Sequence, residues 1–267
     1  MTTDNRIKVT ITERGEGRVV LVTLDNAGKL NVLNSAIMTE FVTAMAELSR
    51  DDRLRAVVLT GAGDRAFVGG ADVDEMAGLR DPASARAFIR RVSACCAAVR
   101  DCPVPVIARL NGWTLGAGLE LAAACDMRIA VADAQFGMPE VRLGIPSVVE
   151  AALLPKLVGW GRTREMLLFG DTFGADTALR FGLVEEVTER AGLDGAIERR
   201  LTSLLANGPR AVRLQKALIR QWEDLSLRDA IDAGVTAFGE AYAGDEPAFA
   251  MSRWRDERRA RKTNPDR

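Results

Sequence analysis

Three short, almost continuous apolar runs, each followed by a segment with helical spacing, constrain the fold of this chain most strongly. The runs are RVVLVTL (18–24), AVVLTG (56–61) and VIARL (106–110), and β-branched runs of this length are typical of strands covered on both faces. The first helical pattern begins at Asn34 or Ser35 and the second at Pro82, which are favourable residues for a helix start. Strand and helix alternate, so the sequence predicts an α/β fold with a parallel sheet.

The pattern continues and then changes near residue 195. A helix over about 117–125, a strand at Met127–Val131 and a helix through Val148, Leu153 and Leu157 are predicted. From about Gly195 the chain reads as helix after helix, ending in a basic tail expected to be a solvated helix that frays. We therefore predict an α/β core over 1–194 and a helical region over 195–267.

Charge and hydropathy exclude several partners. The 267 residues carry a formal net charge of −1, which argues against binding nucleic acid or an anionic membrane. No apolar run approaches the roughly 18 residues of a membrane span, and the beginning of the sequence has no secretory signal pattern. The sequence predicts a soluble cytoplasmic protein that acts on a small molecule.

The chain contains no histidine, which removes Ser/His/Asp and Cys/His triads and histidine-ligated metals. Its four cysteines, Cys95, Cys96, Cys102 and Cys125, lack the paired spacing of a zinc site or a disulfide framework, so reduced buried thiols are expected and no metal is predicted. Acid–base chemistry is left to carboxylates, lysine, cysteine or tyrosine.

Two glycine-rich segments, VGGAD (68–72) and GWTLGAG (112–118), each follow a predicted strand. Glycine and alanine let a ligand approach the backbone closely, and a helix that begins near Ala117 would add unpaired N–H groups and a favourable dipole. Either segment alone indicates only a tight turn. GAGDRA (61–66) also has the outline of a dinucleotide-binding loop, but the further glycines that follow it disfavour that interpretation.

Two glutamates lie in apolar surroundings. Glu120 falls within LELAAA (119–124) and Glu140 within QFGMPE (135–140). A carboxylate is costly to bury without a partner, although Glu140 alone is compatible with a helix N-terminal residue. Beside a pair of free amides, two shielded carboxyl groups have the parts needed to orient water and move a proton to carbon.

Three segments together resemble the crotonase, or enoyl-CoA hydratase/isomerase, superfamily: VLTGAGDRAFVGGADVDEM, PVIARLNGWTLGAGLELAAACDMRIA and AQFGMPEVRLGIP. The resemblance covers essentially the whole chain. It implies a spiral of ββα units followed by a helical trimerisation region, with trimers commonly paired into hexamers. It also implies an enoyl-CoA hydratase that needs no cofactor, because coenzyme A is part of the substrate.

The resemblance assigns roles residue by residue. The backbone N–H groups of Ala71 and Ala117 form an oxyanion hole, with Ala117 standing where many members have glycine. Glu120 helps to activate water and Glu140 exchanges a proton at Cα. The remaining residues assigned to coenzyme A or substrate binding are Lys29, Leu30, Val32, Gly70, Asp72, Val73 and Gly116.

One departure from the family follows Glu140, where LGIPSVVEAALL replaces a longer glycine-rich run and brings in Ser147 and Glu150. Other superfamily reactions therefore stay open, namely isomerisation, hydrolysis or decarboxylation of an acyl-CoA. A non-catalytic member that binds acyl-CoA or RNA is the alternative from another class.

Overall fold

The computed structural model describes residues 6–263, and their side chains as far as residue 259. The described strands are β1 (Ile7–Arg14), β2 (Gly17–Leu24), β3 (Leu54–Gly61), β4 (Ala66–Val68), β5 (Val106–Leu110), β6 (Trp113–Leu115), β7 (Met127–Val131), β8 (Gln135–Gly137), β9 (Thr172–Gly174) and β10 (Glu186–Thr188). The described α-helices are α1 (Ser35–Leu48), α2 (Val73–Ala77), α3 (Pro82–Arg100), α4 (Ala117–Ala124), α5 (Leu154–Phe169), α6 (Ala175–Phe181), α7 (Leu193–Leu205), α8 (Pro209–Trp222), α9 (Leu227–Ala241) and α10 (Glu246–Thr263).

A six-stranded sheet carries the apolar runs, in the order β1-β2-β3-β5-β7-β10. Strand β1 is antiparallel to β2, and the other neighbours are parallel. Both faces of β3 are covered by other parts of the protein, since all but one of its residues are buried. The predicted α/β class is confirmed, as is the Asn34 helix cap, whose Oδ1 accepts a hydrogen bond of 2.9 Å from the Ile37 amide.

A second, smaller sheet of short strands, in the order β4-β6-β8-β9, positions the cavity described below. Strands β4, β6 and β8 are parallel neighbours, so their carboxyl ends lie at one edge. Gly69 follows β4, Gly116 follows β6, and the 3₁₀ turn Pro139–Leu143 comes shortly after β8. Three chain segments far apart in sequence are thereby brought together.

Two sequence-based predictions were wrong in detail. The segment 61–76 is rich in glycine and has neither the helical nor the strand period, which predicts a loop leading into a helical turn, but it contains β4, which pairs in parallel with β6. The helix expected through Val148 begins only at Leu154, after a 3₁₀ turn over Val149–Leu153. Val149 has φ +41°, which is incompatible with a continuous right-handed helix.

The described chain falls into two compact units that divide between Leu201 and Thr202. In the second unit, Ser226 and Asp229 have the spacing that predicts a capping box, and Ser226 caps α9 by accepting a hydrogen bond from the Asp229 amide. The basic stretch near the end is helical to Thr263, and residues 264–267 of the predicted tail lie outside the described residues. None of the helices between residues 6 and 263 has the length and apolar character of a membrane span.

Candidate active site

A cavity of about 490 Å³ lies in the first unit, at the edge where β4, β6 and β8 end. Its lining is apolar or glycine apart from Arg86, Glu120 and Glu140. Seven residues assigned from the sequence contribute to it: Gly70, Ala71, Val73, Gly116, Ala117, Glu120 and Glu140. Both glycine-rich segments and both glutamates therefore share one cavity, whereas Lys29, Leu30, Val32 and Asp72 are not among its lining residues.

Two backbone amides in this lining donate to no acceptor in the described part of the chain. Among residues 6–263, no hydrogen bond is donated by the amide of Ala71 or by that of Ala117. Ala71 is held by a parallel bridge to Leu33, in which the Leu33 amide donates to the Gly70 carbonyl over 2.9 Å. Ala117 is the first residue of α4, where helical amides lack intrahelical acceptors. Both N–H groups are available to an oxygen in the cavity.

Helix α4, which carries Glu120, is fixed at both ends. A Cβ at Gly118 would collide with the Val68 carbonyl, so this glycine lets the helix approach β4 closely. At the other end the Arg128 guanidinium donates to the Cys125 carbonyl over 2.7 Å and to the Ala122 carbonyl over 3.3 Å. A cation there also suits the negative end of the helix dipole. The position of Glu120 is set by rigid elements.

Glu120 is 4% exposed, and its Oε1 accepts a hydrogen bond of 3.2 Å from the Ala151 amide. Burial, reinforced by the nearby Glu140 charge, raises the pKa of Glu120 to about 8, and the Ala151 hydrogen bond opposes this only in part. Desolvation disfavours the charged form of a carboxyl group. Burial and the Glu140 charge thus favour the protonated form of Glu120.

Glu140 reaches the cavity from the 3₁₀ turn Pro139–Leu143 and is half-buried. Its Oε2 accepts a hydrogen bond of 2.8 Å from the Ser147 hydroxyl. Its Oε1 occupies the space that a Cβ at Gly116 would need. Gly116 has φ +50°, a conformation that side-chain-bearing residues rarely adopt.

The loop 29–32, predicted to bind coenzyme A, packs against the glycine-rich segment 68–72. The Gly69 amide donates to the Leu30 carbonyl over 2.8 Å, and Leu30 itself has φ +56°. Lys29 is exposed, with its Nζ 3.1 Å from Asp74 Oδ2 and 3.7 Å from Asp72 Oδ2. The hydrogen bond to Asp74 and the Asp72 charge raise the pKa of Lys29. Lys29 is thus a cation that already has anionic neighbours.

Sequence reasoning missed the apolar part of the cavity. Residues from α2, the turn after it, α3 and the segment after Glu140 form it: Met76, Leu79, Ala85, Phe88, Ile89, Leu143, Ile145, Pro146 and Val148. In the sequence these residues have the spacing of ordinary core positions, and only the fold shows that they face a cavity. Arg86, exposed at this end, was missed for the same reason.

The four cysteines are buried and lie outside any disulfide among the described residues, in line with the prediction of buried thiols. Burial raises the pKa of Cys95 to about 12 and that of Cys96 well above its usual range. A thiol kept protonated is a poor nucleophile. The chemistry of the cavity therefore rests on the two carboxyl groups and the two free amides, which can stabilise an oxyanion and transfer protons.

Comparison with known proteins gives consistent matches. Residues 14–262 match the family described as Enoyl-CoA hydratase/isomerase. The short-chain-enoyl-CoA hydratase of Clostridium acetobutylicum is 35% identical over 245 residues, which cover 91% of this chain and 94% of that protein. The crotonyl-CoA hydratase of Syntrophomonas wolfei is 33% identical over 246 residues, covering 92% of this chain and 94% of that protein.

A solved structure shows the same fold. The crystal structure of enoyl-CoA hydratase from Bacillus anthracis superposes with a TM-score of 0.88 at 30% identity, covering 94% of this chain and 96% of that one. The crotonase-type fold with a helical C-terminal region, which the sequence resemblance implies, is confirmed by this match.

Proposed function

The chain belongs to the enoyl-CoA hydratase/isomerase family, and on that premise we propose that it is an enoyl-CoA hydratase, adding water reversibly and syn across the double bond of a 2-enoyl-CoA thioester. One observation carries the proposal: Glu120 and Glu140 line the same cavity as the two unpartnered amides of Ala71 and Ala117. The relatives named as hydratases support the choice of reaction.

The amides of Ala71 and Ala117 form the oxyanion hole in this proposal. Both donate to the thioester carbonyl oxygen, on which negative charge develops as water adds to Cβ. Each such donor typically contributes about 3 to 4 kcal/mol to stabilising the charged oxygen. The apolar lining strengthens these hydrogen bonds, because little water competes for the donors.

The two glutamates hold the attacking water and balance its protons. As the water oxygen bonds to Cβ, Glu120 takes a proton from it and the π electrons move onto the carbonyl oxygen. The resulting enolate collapses, and Cα takes a proton from Glu140. Before each attack the single proton of the pair, which burial favours on Glu120, passes to Glu140 through water. Glu120 is therefore ionised when it takes the proton of the attacking water, and the cycle ends with a proton on Glu120 again. The raised pKa of Glu120 makes it a stronger base than an ordinary carboxylate.

The coenzyme A portion runs between the loop 29–32 and the segment 71–73 that follows the glycines of VGGAD. Leu30, Val32, Gly70, Val73 and Gly116 contact it in this proposal, alongside two charged residues. Lys29 meets a phosphate by exchanging its contact with Asp74, and Asp72 keeps the loop in place by capping α2, its Oδ1 accepting from the Glu75 amide over 3.1 Å. No separate cofactor is required, because each step uses the carboxyl groups, the amides and water.

The apolar residues beyond the glutamates, such as Met76, Phe88 and Ile145, support an aliphatic acyl group in the substrate. Apolar side chains at this end favour hydrocarbon over polar acyl groups.

The chain assembles as a homotrimer, or as a hexamer of two trimers, in this proposal. Helix α9 supports it, because none of its residues is buried. Its apolar stripe is between 54% and 80% exposed: Leu227, Ile231, Val235, Phe238 and Tyr242. Exposed apolar stripes of this size mark interfaces.

Sedimentation equilibrium tests the proposed oligomeric state. We expect three or six copies of the chain per assembly, and Val235→Asp should lower that number.

The proposed location is the cytoplasm, because four buried cysteines outside any disulfide of the described residues suit a reducing compartment. A tagged chain should therefore fractionate with cytoplasmic markers.

The hydration of crotonyl-CoA, followed by loss of the conjugated thioester absorbance, tests the function. Glu120→Gln and Glu140→Gln should each lower kcat/KM by about 100-fold or more, and the exposed Glu47→Gln serves as the matched control. If double-bond migration, thioester hydrolysis or decarboxylation proceeds while hydration does not, another reaction of the family is correct. Tight acyl-CoA or RNA binding without turnover would indicate a non-catalytic protein.

A further inference from the structure

The segment 147–151 touches both glutamates of the cavity. The Ser147 hydroxyl donates to Glu140 Oε2 over 2.8 Å, and four residues later the Ala151 amide donates to Glu120 Oε1 over 3.2 Å. Between them, Val148 lines the cavity. One short stretch of chain therefore fixes both carboxyl groups relative to each other.

This segment is held under strain. Val149 has φ +41°, which is costly for a β-branched residue and persists only where surrounding contacts impose it. Glu150 supplies such a contact, because its Oε1 accepts a hydrogen bond of 3.1 Å from the Ser93 hydroxyl on α3. Its Oε2 is buried without a hydrogen-bond partner among the described residues. A partly unsatisfied carboxyl group is costly to retain for stability alone.

The Ser147 hydrogen bond also makes the two oxygens of the Glu140 carboxylate inequivalent. Oε2 is engaged by Ser147, whereas Oε1 lies against Gly116, which lines the cavity. A carboxylate held by one oxygen presents the other in a fixed direction. A reacting group misplaced by about 1 Å can lose about 100-fold in rate.

We propose that Ser147 is a positioning residue that fixes Glu140 by one oxygen and leaves the other for the substrate, and that the Glu150–Ser93 hydrogen bond anchors the segment carrying it. This inference rests on the proposed hydratase function, because it assigns Glu140 to proton exchange at Cα. Ser147 and Glu150 both lie in the segment after Glu140 where this chain departs from the family pattern, and the proposal assigns each of them a role.

Two reactions test the proposal in the full-length protein. The first is hydration of crotonyl-CoA. The second is exchange of the α-proton of butyryl-CoA for deuterium in D₂O, followed by NMR. The exchange reaction needs Glu140 and the oxyanion hole but no addition of water. Ser147→Ala should lower kcat in both reactions by about 10- to 100-fold, as expected for loss of a hydrogen bond to a charged group. KM should change by less than about threefold, because the mutation removes no contact to substrate.

Two variants separate positioning from folding. Ser147→Thr keeps the hydroxyl and should restore most of both rates. Ser49→Ala removes a half-buried hydroxyl that donates to the Met45 carbonyl over 2.8 Å and should leave both rates unchanged. Ser93→Ala removes the anchor and should lower kcat in both reactions, by less than Ser147→Ala does, with KM unchanged.

Wild-type rates in Ser147→Ala, or a Ser147→Thr variant no better than Ser147→Ala, would overturn the proposal. If Ser147→Ala fails to fold, Ser93→Ala decides, and a wild-type kcat in that variant overturns the anchor. A wild-type protein that hydrates no enoyl-CoA but exchanges the α-proton would contradict the proposed function. The exchange rates of the Ser147 variants would in that case still test whether Ser147 positions Glu140.

Discussion

The Ala151 amide donates a hydrogen bond to Glu120 Oε1 over 3.2 Å, and this contact only partly offsets the cost of burying the carboxyl group. Burial raises the pKa of Glu120 to about 8. The residue is thus a local source of instability that the fold retains at its cavity. Destabilising groups of this kind are frequent at functional sites.

The stability of the protein should consequently depend on Glu120 in a pH-dependent way. The pKa of Glu120 rises from 4.5 in the unfolded chain to about 8 in the folded one, so folding takes up a proton between these values. Stability is lost as pH rises through that window. Glu120→Gln should therefore stabilise the protein, by about 1 kcal/mol at pH 5 and by about 4 kcal/mol at pH 8. Urea denaturation at several pH values measures this.

A control for that measurement is Glu47→Gln, at an exposed position on α1, which should change stability by less than about 0.5 kcal/mol. A Glu120→Gln variant that is less stable than wild type at pH 8 would contradict the assigned burial cost.

The rate of hydration should fall at alkaline pH. The proposed cycle needs one proton on the glutamate pair, and the raised pKa of Glu120, about 8, marks the loss of that proton. We expect kcat/KM for crotonyl-CoA to decline tenfold per pH unit above about 8. A rate that rises through pH 8 would indicate instead that the fully ionised pair is the reactive form. Substrate stability must be checked at each pH.

Much of the fold was predictable because four strands of the large sheet, β2, β3, β5 and β7, are largely buried. The predicted strand Met127–Val131 agrees with β7, and α3 begins at Pro82 as expected. Strands β4, β6 and β8 were missed because each has three residues, too few to show a period. Their pairing depends on contacts between distant parts of the chain, which spacing along the sequence does not reveal.

The polar residues of the candidate site were easier to predict than its apolar residues. Glu120 and Glu140 stand out because a carboxylate in an apolar stretch is costly to bury and therefore indicates a specific role. Phe88 and Ile89 do not stand out, since an apolar residue on a helix usually belongs to the core. The Ser147 contact with Glu140 depends on a strained turn at Val149, which no residue pattern indicates.

Arg128 should be important for stability because it holds the end of α4. It is 3% exposed, forms an ion pair with Glu185 and donates to the Leu183 carbonyl over 2.9 Å. Arg128→Lys keeps the charge but loses the forked geometry, and we expect a loss of about 3 kcal/mol in the free energy of unfolding. Arg14→Lys, at the exposed pair with Glu198, should cost less than about 1 kcal/mol. Equal effects of the two changes would contradict this assignment.

Gly116 should be needed for activity more than for folding. Alanine there meets two penalties, since φ is +50° and the new Cβ would overlap with Glu140 Oε1. The end of a flexible side chain moves more easily than backbone, so Gly116→Ala should fold with Glu140 displaced. We expect a loss of about 1 to 3 kcal/mol in stability and a fall in kcat of about 100-fold or more.

Gly15→Ala is the matched control, because Gly15 also has a positive φ, +59°, but open space around its Cβ position. Gly15→Ala should lose about 1 kcal/mol and retain wild-type kcat. If Gly116→Ala also kept wild-type kcat at a reduced melting temperature, Glu140 would not need the position that Gly116 leaves open for it.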